Sequence, residues 1–145
     1  MSHRTRQIGY LAALIVGICV VTWIASEIVP RSRYGYTSRR ITEKIRSLRD
    51  RKPADVDAAL WNECVDWAVS AHGNTCFSEE HTSYAEMHRF ETELDEQLKR
   101  DVGPNTLRWV FDRLEATGPA GKRYIAKFRD QWTDSLNAIS NEPRS

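Results

Sequence analysis

The chain has 145 residues, enough for one domain with a modest hydrophobic core. Its 41% hydrophobic and 28% charged residues exclude wholesale disorder, and its three cysteines are too few for a disulfide scaffold. The formal net charge is only +1, but residues 31–52 carry +7 and residues 53–145 carry −7. Such an asymmetry bears on binding partners rather than on fold.

The first element is an apolar segment over residues 8–30, which follows a basic tail over residues 1–7. Residues 8–26 include no charged side chain. At about 1.5 Å per helical residue, the segment as a whole crosses a hydrocarbon layer roughly 30 Å thick. Tyr10 and Trp23 lie near its two ends, where aromatic rings favour the membrane interface. We therefore predict one transmembrane helix over residues 8–30.

A cleaved signal peptide is the alternative to an anchor, because Arg4 and Arg6 form a basic start. A cut after Ala25 would leave the bulky Trp23 where signal peptidases prefer a small residue, which favours the uncleaved anchor. The arginines of residues 31–40 outnumber those before the span, and this bias favours a cytoplasmic over an external C-terminal domain.

Residues 31–52 form a basic segment that we call the stem. Residues 34–37 are interpreted as a short linker around Gly35. After it, Ile41, Ile45 and Leu48 predict a helix that ends before Pro53. The charge either contacts anionic lipid or only sets membrane orientation, and no motif indicates nucleic-acid binding. The predicted lipid-contacting residues are Arg31, Arg33, Arg39 and Arg40.

Residues 53–140 are predicted to form an all-α body, so that the chain as a whole is a transmembrane helix followed by a four- or five-helix bundle. Residues 141–145 are expected to be a flexible tail. Ser83 and Glu86 have the spacing of a capping box. The predicted body helices run from Asp55 to His72, from Ser83 to before Gly103, from Asn105 or Thr106 to Gly118, and from Ala120 to Ile139, with a loop over residues 74–81.

Cys64, His72, Cys76 and His81 form the most reactive group of side chains in the body. Thiolates and imidazoles are zinc ligands, although the spacing C-x7-H-x3-C-x4-H matches no common zinc-finger pattern. Two other interpretations remain open. One is a disulfide between Cys64 and Cys76 in an oxidising compartment, and the other is buried thiols beside helix-end histidines.

Two further features indicate contact surfaces. Residues 79–101 hold eight acidic against three basic residues, which suggests docking of a basic partner or of the protein's own stem, or else a solvated helix face. Trp67 lies off the main apolar stripe of its helix and is either a core residue or an exposed contact residue.

The sequence contains no phosphate-binding loop, dinucleotide fingerprint, zinc-protease motif or nucleophile elbow. We therefore expect neither enzymatic activity nor a cofactor. The function that the pattern favours is a single-pass membrane protein whose body serves protein interaction or scaffolding. The alternative is a membrane-tethered metal-binding or redox domain that uses Cys64, His72, Cys76 and His81.

Overall fold

A computed structural model describes residues 3–77, 82–100 and 102–141. Within those ranges all regular secondary structure is helical and no strand occurs, which confirms the all-α prediction. The chain divides into two compact units, Met1–Tyr36 and Thr37–Ser145.

The first unit is built from one long apolar helix. Helix α1 spans His3–Trp23, and a π-helical turn at Ile24–Ile28 leads into helix α2, Val29–Arg46. Pro30 lacks a backbone N–H and its ring clashes with the carbonyl four residues earlier. The wider π turn accommodates this proline, so the chain remains helical past it. The predicted linker over residues 34–37 is therefore wrong, since these residues lie inside α2.

The second unit holds residues 37–52 of the stem and the body. A 3-10 turn at Ser47–Arg51 follows α2. The helices of the body are α3 at Ala58–Phe77, α4 at Tyr84–Arg100, α5 at Pro104–Ala116 and α6 at Pro119–Asn141. Helix α6 packs against α3 and α5, and α5 also contacts α3 and α4, which makes this unit a helical bundle.

Capping residues explain where α3 and α4 begin. The Asp57 carboxylate accepts the backbone N–H groups of Ala59 and Leu60 at 2.9 and 3.0 Å, so α3 is capped by Asp57 and not by the expected Asp55. The Ser83 hydroxyl accepts the Glu86 N–H at 3.3 Å, as the predicted capping box requires.

The predicted end of α3 at His72 is wrong, because the helix continues through Gly73 to Phe77. The Thr75 hydroxyl donates to the Ala71 carbonyl at 2.8 Å, and the Thr75 and Cys76 side chains are buried, so packing holds this last turn in place. Glycine inside a helix costs only about 1 kcal/mol, which such burial offsets. Residues 78–81 of the expected loop lie outside the described ranges.

The stem contributes directly to the hydrophobic core. Ile41, Ile45 and Leu48 are fully buried, and the indole N–H of Trp61 donates to the Leu48 carbonyl at 2.7 Å. The stem helix therefore packs on the body. The other large side chains at the centre of the core are Met87, Phe90, Leu94, Leu107, Phe111, Leu114, Ile125 and Leu136.

Gly121 permits the close approach of α6 to α5. A Cβ atom at this position would lie 2.1 Å from the Leu114 carbonyl oxygen and 3.2 Å from the Thr75 hydroxyl. By contrast, a Cβ at Gly73 in α3 would meet no atom within 4 Å. The two helical glycines therefore differ in whether the fold requires them.

We predict that Gly121→Ala destabilises the protein by about 2–3 kcal/mol, because the added methyl must push two helices apart. Gly73→Ala should instead stabilise it by roughly 0.5–1 kcal/mol, since it removes backbone freedom from the unfolded chain. Urea unfolding followed by tryptophan fluorescence measures both changes. Equal effects of the two substitutions would contradict this packing of α5 against α6.

Candidate functional site

A buried histidine joins the stem to the body. His72 of α3 is 1% exposed, and its Nε2 lies 3.1 Å from the carbonyl oxygen and 3.3 Å from the hydroxyl of Ser38 in α2. Because a carbonyl only accepts, Nε2 carries the proton and Nδ1 is the acceptor. The Cys76 sulfur lies 3.6 Å from Nδ1 and 3.7 Å from Nε2 of the same ring, and its thiol donates to the Met87 sulfur at 3.8 Å. The imidazole thus contacts a backbone carbonyl of α2 and a thiol of its own helix.

Burial determines the protonation of this region. It lowers the pKa of His72 to about 4, although the hydrogen bond to the Ser38 backbone acts in the opposite direction. Burial, reinforced by the charge of Glu63, raises the pKa of the Cys64 thiol to about 11. At neutral pH the imidazole is uncharged and the thiol of Cys64 is protonated, so neither has the reactivity of a thiolate–imidazolium pair.

The space beside His72 is too small for a substrate. A cavity of about 10 Å³ lies among His72, Cys76, Met87 and Phe90, with Leu114 and three threonines completing its wall. Such a volume holds about one water molecule at most. The Ser38, His72 and Cys76 side chains are therefore suited to holding α2 against α3 and not to nucleophilic catalysis.

The structure separates the predicted metal ligands. His72 and Cys76 lie together, but Cys64 is eight residues earlier on the same helix, about 12 Å along its axis. His81 lies outside the described residues. Across the part of the chain that the structure describes, no three His, Cys, Asp or Glu side chains are grouped to hold a metal ion.

The same helix separates the two cysteines of the expected disulfide. Cys64 and Cys76 are both free thiols in the structure. Twelve helical residues place them about 18 Å apart along the axis, whereas a disulfide requires Cα atoms within about 7 Å. A bridge between them would require α3 to unwind. The expectation arose from the predicted loop after His72, which the structure replaces with a further turn of helix.

A second cluster holds the stem through charge. Glu91 of α4 is 2% exposed, and its Oε1 accepts from Arg40 Nε at 2.6 Å and from Lys44 Nζ at 2.9 Å. Lys44 also pairs with Asp95 at 2.7 Å. Two cations of α2 thus neutralise one buried carboxylate of α4. Two of the eight acidic residues in the run at 79–101, Glu91 and Asp95, therefore bind the protein's own stem, which is one of the docking interactions that the sequence suggested.

Sequence reasoning did not single out Glu91. The signal was present, because Glu91 follows Met87 by four residues and adjoins Phe90, which places it on the buried stripe of α4. A carboxylate on such a stripe requires a charged partner, since unpaired burial of a charge is strongly unfavourable. What the sequence could not supply was the identity of Arg40 and Lys44, some 50 residues away.

The other stem cations have varied surroundings. Arg49 pairs with Asp66, and Arg51 donates to the Leu98 carbonyl at 2.9 Å. Among the predicted lipid-contacting residues, Arg40 binds Glu91, Arg31 pairs with Glu27 at 3.4 Å, and Arg33 and Arg39 are exposed. Several basic residues of the stem therefore bind carboxylate or carbonyl groups of the same chain.

No family model, characterised protein or solved structure matches this chain. The features that bear on its function are the apolar N-terminal helix, the two clusters that hold the stem, and the outer surface of the body.

We predict that Glu91→Gln lowers the free energy of unfolding by about 2–3 kcal/mol, because it leaves two stem cations without their buried counter-charge. Glu96→Gln is the matched control, since Glu96 pairs with Lys99 on the exposed face of the same helix. Its effect should stay within about 0.5 kcal/mol. Urea titration at neutral pH compares the two, and equal losses would refute the importance of the Glu91 cluster.

His72 gives a specific pH dependence. Its pKa is about 4 in the folded protein and 6.5 in the unfolded chain, so between these values the unfolded state binds the extra proton. The stability that neutral His72 contributes is complete above pH 6.5 and is lost as the pH falls toward 4, by about 3 kcal/mol in all. As the pH falls across this range, the free energies of unfolding of wild type and His72→Gln should converge. Parallel curves would contradict the buried neutral imidazole.

Proposed function

We propose that this chain is a single-pass membrane protein whose helical body serves protein interaction or scaffolding at the membrane surface. The observation that carries the proposal is the N-terminal helix, which is long and apolar enough to span a membrane. Its large apolar side chains are exposed, including Leu11 at 62%, Ile15 at 53% and Ile18 at 58%.

Hydrocarbon is the solvent that suits this helix. Exposed apolar surface is unfavourable in water by about 25 cal/mol per Å², and a hydrocarbon surrounding removes that penalty. Two hydroxyl groups of the segment form hydrogen bonds with backbone carbonyls of their own helix. The Thr22 hydroxyl donates to the Ile18 carbonyl at 2.8 Å, and the Ser26 hydroxyl donates to the Trp23 carbonyl at 3.1 Å. Such internal pairing is what a lipid environment demands of hydroxyl groups.

The body is better suited to binding than to chemistry. The side chains that resemble catalytic or redox groups are buried: His72 and Cys76 line a space of about 10 Å³, and Ser38 contacts the His72 ring. Glu91 is held by the stem. The alternative of a metal or redox domain loses support from the distance between Cys64 and Cys76 along α3.

We further propose that the body lies on the cytoplasmic side, because the arginines after the span exceed those before it. On that side, the exposed Arg33 and Arg39, together with Arg31, would contact anionic headgroups, at about 1 kcal/mol per residue. A C-terminal tag that resists external protease in intact cells and is cleaved after lysis supports this orientation. A tag cleaved in intact cells reverses it.

We predict that the double substitution Leu14→Arg and Ile18→Arg releases the protein from membranes. Each arginine near the centre of a span disfavours insertion by about 3 kcal/mol. Alkaline carbonate extraction should leave wild type in the pellet and move the double variant to the supernatant. A second variant with two arginines at Ala116 and Ala126, both exposed on the body, is the control and should remain in the pellet. Wild type in the supernatant would overturn the proposed anchor.

A further inference from the structure

Two sulfur atoms and an imidazole nitrogen meet beside the small cavity near the end of α3. His72 and Cys76 are four residues apart on one face of that helix, with the Cys76 sulfur 3.6 Å from Nδ1 of the imidazole. Met87 of α4 places its Sδ 3.8 Å from the same sulfur. All three side chains line the cavity of about 10 Å³, which has room for a single small ion.

The distances between these atoms resemble those around a three-coordinate metal ion. Bonds of about 2.0 Å to nitrogen and about 2.3 Å to sulfur, at about 120° to one another, place nitrogen and sulfur about 3.7 Å apart and two sulfurs about 4.0 Å apart. The corresponding distances here are 3.6 and 3.8 Å. Because Cys76 Sγ is also 3.7 Å from Nε2, binding through Nδ1 requires the thiol to rotate toward that nitrogen.

The imidazole is held in the tautomer that offers Nδ1 to a ligand. Its Nε2 donates to the Ser38 carbonyl at 3.1 Å, so the lone pair of the ring is on Nδ1. Metal-bound histidines commonly donate their other ring N–H to a carbonyl in this way, which fixes both tautomer and ring orientation. The Phe90 ring, with its centroid 6.1 Å from that of the imidazole, also packs against His72.

The charge of the site favours a monovalent ion. Imidazole and thioether are neutral ligands, and the Cys76 thiol loses its proton to solvent when it binds a metal. A +1 ion that replaces this proton leaves the complex neutral, whereas a +2 ion leaves a buried positive charge. Among the described residues that line the cavity, none is acidic and able to offset that charge. Thiolate and thioether sulfur together select Cu(I) among the biological metals.

We propose that His72 Nδ1, Cys76 Sγ and Met87 Sδ form a binding site for one Cu(I) ion. This site goes beyond the proposed interaction role, and its ligands all lie in the second unit, so it does not depend on the membrane anchor. It differs from the ligand set that the sequence suggested, because Met87 takes the place of Cys64 and His81. Cys76 is the penultimate residue of α3, so opening of that last turn gives an ion a path to the site.

Copper binding by the full-length protein in detergent micelles tests the proposal. Cu(I) is supplied without oxygen as its bicinchoninate complex, and the protein competes with bicinchoninate for the metal. All variants carry Cys19→Ser, which removes the exposed thiol of the N-terminal helix. Met87→Leu and Cys76→Ser each remove one ligand. The matched control is Cys64→Ser, since Cys64 is a buried thiol of the same helix outside the site.

We expect the Cys19→Ser protein to bind one Cu(I) per chain. Cys76→Ser should weaken binding by about 100-fold and Met87→Leu by about tenfold, whereas Cys64→Ser should change it by less than about twofold. Cu(I) should also raise the midpoint of thermal unfolding of the Cys64→Ser protein and not that of Cys76→Ser. Zn(II) at the same concentration should give no such rise.

The proposal is overturned if the Cys19→Ser protein takes no Cu(I) from bicinchoninate, if Met87→Leu and Cys64→Ser bind Cu(I) alike, or if Zn(II) stabilises the fold as much as Cu(I). Leucine is close to methionine in volume, so Met87→Leu is expected to keep the fold. It decides the question even if Cys76→Ser fails to fold.

Discussion

The buried carboxylate of Glu91 constrains the rest of the second unit. A charge that is 2% exposed requires opposite charges at hydrogen-bond distance, and Arg40 and Lys44 supply them from α2. These two residues lie one helical turn apart, so their pairing fixes which side of α2 faces α4. The same orientation brings Ile41 and Ile45 into the core and places the Ser38 carbonyl against His72.

This constraint changes the meaning of the charge asymmetry in the sequence. A stem with a net charge of +7 beside a segment with a net charge of −7 suggests a membrane-binding stem and a partner-binding body. In the structure, three stem cations pair with body carboxylates: Arg40 and Lys44 with Glu91, Lys44 also with Asp95, and Arg49 with Asp66. These carboxylates are therefore occupied by cations of the same chain.

Local features were predictable from the sequence and long-range ones were not. The periodicity of Ile41, Ile45 and Leu48 and the Ser83–Glu86 capping box indicated helices that the structure confirms. Gly35 and Gly73 suggested breaks that did not occur. At Gly73 the reason is that the following turn is held by the buried Thr75, a tertiary effect invisible to local propensity.

The candidate site shows the same division. The sequence drew attention to His72 and Cys76, which the structure brings together, but the link from His72 to Ser38 spans 34 residues and has no local signature. The extra turn of α3 also keeps Cys64 away from Cys76. A loop after His72 would have allowed the two cysteines to approach each other, whereas a continuous helix holds them apart.

The central claim is that the stem is a structural part of the body, held by the Glu91 and His72 clusters. Hydrogen exchange of the full-length protein, read out by mass spectrometry on peptides covering residues 37–48, tests it most directly. The account predicts that these amides exchange as slowly as those of α5, because both open only when the whole bundle unfolds. Exchange of the stem at the rate of an isolated helix, with α5 still protected, would contradict it.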